Sequence, residues 1–560
     1  VSQENTARHI RRLAAVGAAL ILGAVPNLAA ASSTPRPRLA AGESCSAATA
    51  GDSFTAGQLA ADNAVMGTFG ARPTASPAHT QFIDWLEQQM DAVDGMQMSS
   101  VPYGIPRWDD QSIGLAAGPN DASLGALEPS GAVPLALATP AEGVTAPLLY
   151  VAAGTPLAGQ PVAGKIVVRD AVPGTVPFAV FTAVEWGHYD PDLSLTTQAA
   201  QGASYERDFA GYQQRLDDLN AAGDGGAAGL IFVHGFPRQQ VQGQYAPYEG
   251  VRWKVPALYV GADEGAQLKT LAGSAGSARI TLQASDVGAT TRMLVATLPG
   301  ASPDRIVITS HTDGINPVWD NGPIAMLALA RHFAALPIEC RPRTLQFVFT
   351  TGHIFQRLLG THDRGGSAEL EAKELDQDYE HGSVAMVFAL EHLGAKEYAA
   401  VPRIDGGPGR VLAPTGKSEV NTIFAGESPA LVTEIFHAVA ERNLARTYVL
   451  RGSDAPAPHV PIHNSFGGEG TAYQQHLIPT IAFVTGPWTL YNPAFGLEAI
   501  DFDLMRTQTL VFADMLHDLG GQPAAVLGGG YPAQRAARTQ LCASALATMG
   551  FVRCDGDPYG

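Results

Sequence analysis

Four short runs between residues 286 and 520 are apolar on both faces: RIVITS (305–310), TLQFVFTT (344–351), VAMVFAL (384–390) and TIAFVTG (480–486). A strand with one face in water alternates apolar and polar residues, so runs like these belong to a sheet covered on both sides. Helical stretches separate them: NGPIAMLALARHFAAL (321–336), ALVTEIFHAVAER (430–442) and FDLMRTQTLVFADMLHDL (502–519). The alternation predicts an α/β fold, a mainly parallel mixed sheet with helices on both faces. Upstream, SPAHTQFIDWLEQQMDAV (76–93) predicts an amphipathic helix. Ser76 can cap it, Pro77 suits its first turn, and Phe82, Leu86, Met90 and Val93 recur at helical spacing.

The texture changes between 141 and 284. Short apolar runs bounded by Gly and Pro (PLLYVAA, GKIVVRD, AAGLIFV) accompany a helix-like YQQRLDDLNAAGDGG, which predicts a small β-rich α/β domain inserted at 141–284. The main domain is then 61–140 and 285–520, with 32–60 a flexible leader and 521–560 a C-terminal tail. Residues 8–31 combine three arginines, an apolar run and the small-residue pattern Ala29-Ala30-Ala31, the marks of a secretory signal peptide over 1–31. A secreted or extracytoplasmic protein is expected, and Arg11-Arg12 leaves a twin-arginine route open. In an oxidising compartment the four cysteines predict two disulfides. Cys542 and Cys554 enclose a short loop, which leaves Cys45 for Cys340; three pairings are open. A formal net charge of −18 disfavours nucleic acid and anionic membranes as partners. No segment beyond the signal approaches 18 continuous apolar residues, so no membrane span is predicted in the mature protein.

Polar residues stand where the strands stop: His311 and Asp313 after RIVITS, His353 after TLQFVFTT, Glu391 and His392 after VAMVFAL. In an open α/β sheet, ligands bind in the crevice beyond the carboxyl ends of the strands. His311, Asp320 and Glu391 are of the types that hold Zn²⁺, with a water completing a hydrolytic centre. Asp313 would fix the metal-binding tautomer of His311 by accepting its other N–H, and His353 can serve as a general base near neutral pH. Simpler roles stand beside these: Asp320 as a helix cap, Glu391 as the partner of a buried Arg, His392 turned away from Glu391 if the strand runs on.

The pattern HTDG(x5)DNG (311–322), then FVFTTGH (347–353), then LEH (390–392), resembles the secreted co-catalytic zinc aminopeptidase family, and GTFGARPTASPAH (67–79) resembles that family's opening. The stretches GKIVVRD, AAGDGGAAGLIFVH and VPALYVGADEGAQL resemble the protease-associated domain that members of the family often carry as an insertion. The resemblance covers about 60–140 and 285–520. It implies that His311 and Glu391 bind a first metal and that Asp320 bridges to a second. The family's Gly-Glu-Glu run, one Glu the general base and the next a ligand, is replaced here by Thr351-Gly352-His353-Ile354-Phe355. Aligned on the glycine, His353 takes the base position; aligned on the downstream LLGT, Ile354 and Phe355 take the two Glu positions. The family's last His falls at Tyr491-Asn492, and Asn is a weak zinc ligand. His459, His463 and Glu469, in PHVPIHNSFGGEG, are the residues that could rebuild a second site, while Tyr491 and Trp488 line a wall or pack in the core.

Two functions follow as expectations. One is a secreted metal-dependent hydrolase of amide or peptide bonds, aminopeptidase-like. It would hold one Zn²⁺ on His311, Asp320 and Glu391, with help from His353, and act on a peptide or small amide. The other is a catalytically inactive peptidase-like scaffold that binds peptides or proteins. The retained His, Asp and Glu favour the first.

Overall fold

The computed structural model describes residues 54–247, 250–354, 366–454 and 464–544. The signal-like segment, Cys45, Phe355, His459, His463 and Cys554 lie outside the described residues, and with them the expected disulfide pairing; Cys340 and Cys542 carry no free thiol.

The helices form where their apolar spacing places them. Pro77–Asp91 starts on Ser76, whose hydroxyl accepts the His79 N–H at 3.1 Å, and buries Phe82, Ile83, Leu86 and Met90. Gly322–Ala334 is buried almost all round, and Phe502–Gly520 is capped by Asp501. Each large apolar side chain buried in this way contributes about 1.5–3 kcal/mol.

Adjacent strands Arg343–Thr350, Ser302–His311, Val384–Leu390 and Thr480–Val484 run parallel at the centre of the sheet. Their side chains feed two cores in turn. Ile306, Ile308, Phe347, Phe349, Met386 and Phe388 enter the core built on Gly322–Ala334 and Phe502–Gly520, whereas Val307, Val348 and Val387 enter the opposite one, under Ser367–Glu380. This alternation places helices on both faces, as the two-sided apolar runs require. The sheet is mixed at its flanks, where Ser277–Leu298 lies antiparallel to Arg343–Thr350 and Asn421–Ala425 antiparallel to Thr480–Val484. Small antiparallel pairs lie outside it.

Much of the stretch expected as an insertion at 141–284 packs in a separate hydrophobic core around the parallel strands Ile166–Ala171, Gly229–His234 and Ala257–Val260, but that core also takes Trp108, Leu115, Ala117 and Val133, from the segment expected in the main domain. The long strands Gln97–Gly118 and Ser277–Leu298 pair antiparallel along their length, with one register shift at Gln111, and join both parts into one sheet. One segment departs from that core. Glu185–Tyr189 adds antiparallel to Thr447–Leu450, so Phe178, Leu195 and Tyr205 pack with Tyr448 and Leu450 and cover the far edge of the main sheet, where open backbone groups would otherwise face water.

Candidate metal centre

The carboxyl ends of the parallel strands bring three histidines and two glutamates together. His311 is the last residue of its strand, Glu391 follows Leu390 directly, and His353 stands three residues beyond Thr350. Glu469 arrives from the loop before helix Gly470–Gln475. Its backbone N–H donates to Glu391 Oε1. That approach needs Gly468, at φ +66°, where a Cβ would come within 2.1 Å of the same oxygen.

The hydrogen bonds fix the tautomers. His311 Nδ1 lies 2.8 Å from the Asp313 carbonyl and His392 Nδ1 2.6 Å from the Thr485 carbonyl. A carbonyl only accepts, so each Nδ1 carries the proton and, in the neutral ring, each Nε2 presents a lone pair. His353 Nδ1 is held in the same way by Glu469 Oε1 at 2.8 Å, and Thr350 donates to Glu469 Oε2 at 3.0 Å. His311 Nε2 and His392 Nε2 each stand 3.6 Å from Glu391 Oε2, and all three atoms are buried without a hydrogen-bond partner. The His311 and His353 rings stack at 4.1 Å. Lone pairs turned on a carboxylate oxygen leave acceptors facing acceptors, at about 1–3 kcal/mol for each unsatisfied group.

A proton or a cation resolves this arrangement. Burial disfavours a charged His311, but Glu391 outweighs it and pushes the imidazole up to about 9. Burial would raise Glu391, yet His311, His392 and His353 hold it down to about 2. His392 is driven down to about 4, chiefly by burial. Ligand atoms of His311, His353 and Glu391 all lie within 4.8 Å of one another, and two imidazoles with a carboxylate are a catalytic-zinc donor set. The orphaned buried acceptors and the donor chemistry both fit Zn²⁺.

Several expected roles change. Asp320, expected as a bridging ligand or a helix cap, gives both carboxylate oxygens to Arg72 (Nε–Oδ2 2.7 Å, Nη2–Oδ1 2.6 Å), with both side chains fully buried. Asp313 serves His311 through its main-chain carbonyl. Its carboxylate instead accepts from Thr74 Oγ1 at 2.5 Å and the Ile354 N–H at 3.0 Å. His353, expected as the base, belongs to the candidate ligand group. His392 does not turn away: the strand stops at Leu390, and φ of +56° swings its ring back toward Glu391. Glu469 joins the centre as the partner of His353. Asn492 does not: its side chain donates to the Gln240 carbonyl and its own carbonyl accepts from Asn316. Tyr491 packs on Trp319 and Tyr212, and Trp488 on Phe236. Ala246, Trp319, Ile354 and Tyr491 pack in one apolar cluster.

No known family profile matches the chain, and no curated protein matches it. Solved structures do. The zinc aminopeptidase BSAP of Bacillus subtilis superposes with a TM-score of 0.55 at 13% identity, over 83% of this chain and 94% of that one. A peptidase M28 precursor of Shewanella amazonensis SB2B gives 0.56 at 16% identity, over 86% and 97%. The chain has the zinc aminopeptidase fold. Within that fold, the sequence reading missed Arg72, Thr350 and Thr485 as builders of the crevice. Arg72 had a signal: it is the one charged side chain in GTFGARPTAS. Thr485 acts through its backbone, which no side-chain pattern reveals.

Proposed function

We propose that this chain is an exported hydrolase of peptide amide bonds, aminopeptidase-like, with one Zn²⁺ held by His311, His353 and Glu391. The observation that carries the reading is the convergence of buried, unpartnered His311 Nε2 and Glu391 Oε2 beside His353. Bound there, Zn²⁺ would supply a Lewis acid for a carbonyl and lower the pKa of a water. The chain's own residues do the rest. The Asp313 carbonyl and Glu469 aim the His311 and His353 rings, and Thr350 steadies Glu469. His392, its Nδ1–H anchored on Thr485, offers the remaining lone pair beside Glu391 as a hydrogen-bond acceptor that orients an attacking water. Export rests on the signal-like residues 8–31.

A panel of aminoacyl and peptidyl anilides tests this. His311→Ala should abolish both zinc retention and turnover. His392→Ala should keep the zinc and lose about 10²-fold in kcat. Turnover that survives chelation or His311→Ala contradicts the proposal. One observation favours the binding-module reading: among the described residues, the loop after Arg343–Thr350 carries no carboxylate, and Ile354 is fully buried. Zinc-loaded protein that binds peptides and cleaves none of them would establish it.

A further inference from the structure

Away from that centre, Glu434 and His437 stand one turn apart on helix Pro429–Glu441, facing Asp518 on helix Phe502–Gly520. His437 Nδ1 lies 3.5 Å from Glu434 Oε1 and 3.7 Å from Asp518 Oδ2. Its Nε2 lies 3.8 Å from Glu441 Oε2. Glu434 Oε1 is buried and has no hydrogen-bond partner. Ligand atoms held at about 2.0–2.1 Å in a tetrahedral zinc site are roughly 3.3–3.4 Å apart; His437 Nδ1 stands within a few tenths of an ångström of that spacing from each carboxylate, and all three donors lie within 4.8 Å of one another.

The surroundings point the same way. Arg442 neutralises Asp514 through Nε–Oδ2 at 2.5 Å and Nη2–Oδ1 at 2.7 Å, which leaves Glu434, Asp518 and Glu441 clustered on His437. Burial first, then Asp518, Asp514 and Glu441, push the Glu434 carboxyl up to about 9. An imidazole between two carboxylates suits a divalent first-row ion.

We propose that Glu434, His437 and Asp518 form a second divalent-cation site, of the kind that takes Zn²⁺, which clamps helix Pro429–Glu441 to helix Phe502–Gly520. The site is structural. It crosses two helices packed under the main sheet and touches none of the strand-end residues.

Equilibrium dialysis against Zn²⁺ followed by elemental analysis tests it. Wild type should retain one more zinc per chain than His437→Ala, whereas His311→Ala should lose a different one. His437 is 53% exposed, so its replacement should leave the fold and the turnover intact. Glu434→Gln keeps the side-chain shape and removes the ionisable carboxyl that a metal needs. It should melt at or above the wild-type temperature in chelator, yet show no zinc-induced rise in melting temperature when combined with His311→Ala. Equal zinc in wild type, His437→Ala and Glu434→Gln overturns the proposal and leaves a proton shared between Glu434 and Asp518 as the account of this cluster.

Discussion

Asp320 and Glu391 are two buried carboxylates of one crevice, and they are satisfied in opposite ways. Arg72 meets both oxygens of Asp320, and its other donors reach the Met66, Gly70 and Asn316 carbonyls. Glu391 receives one backbone N–H, and its other oxygen faces two imidazole nitrogens that offer lone pairs. An Arg charge is permanent, so the first pair is closed to a metal. The second holds a proton or a metal and can exchange them. The chain thus supplies its own cation to Asp320 and leaves Glu391 Oε2 to a proton or an external cation, which is why we propose one ion for this crevice.

Substitutions can break this contrast. The largest effect belongs to Arg72→Met, which strands a buried charge and should cost about 3–5 kcal/mol in urea denaturation; adding Asp320→Asn should recover a good part of it. Glu469→Gln should weaken zinc about 10–100-fold, the usual cost of losing an outer partner of a ligand, while chelated protein stays nearly as stable as wild type in the same denaturation series. Glu391→Gln should cost the chelated protein only about 1–2 kcal/mol, because His311 can shed its proton where Arg72 cannot. A cost as large as that of Arg72→Met would erase the contrast.

Glu371 sharpens it with a third solution. This buried carboxyl, hydrogen-bonded by Tyr473 Oη at 2.5 Å, is raised by burial to about 8 and keeps its proton. Between pH 4.5 and 8 the native chain binds a proton that the unfolded chain has released, so stability falls as pH rises, by at most about 1.4 kcal/mol per pH unit from this group. Glu371→Gln should remove that slope in denaturation curves collected from pH 5 to 8.

The fold was legible because burial on both faces leaves a plain mark. Val307 and Ile308 enter different cores, and only a covered sheet tolerates both being apolar. Which residues gather was also legible, since His311, His353, Glu391 and His392 all stand where a strand stops. Their roles were not. The partner of Asp320 lies 248 positions away, and no local pattern encodes that distance. The swing of His392 depends on a left-handed backbone at a non-glycine residue, and the tautomers of His311 and His392 depend on main-chain carbonyls. The paired strands Gln97–Gly118 and Ser277–Leu298 likewise run from the main sheet into the core around Ile166–Ala171, and pairing that long marks no boundary in the sequence.

Anomalous diffraction at the zinc edge from crystals equilibrated with Zn²⁺ tests the central claim most directly. The account predicts a peak between His311, His353 and Glu391, with Arg72 still bonded to Asp320. A peak on Asp320 with Arg72 displaced, or none beside Glu391, would contradict it.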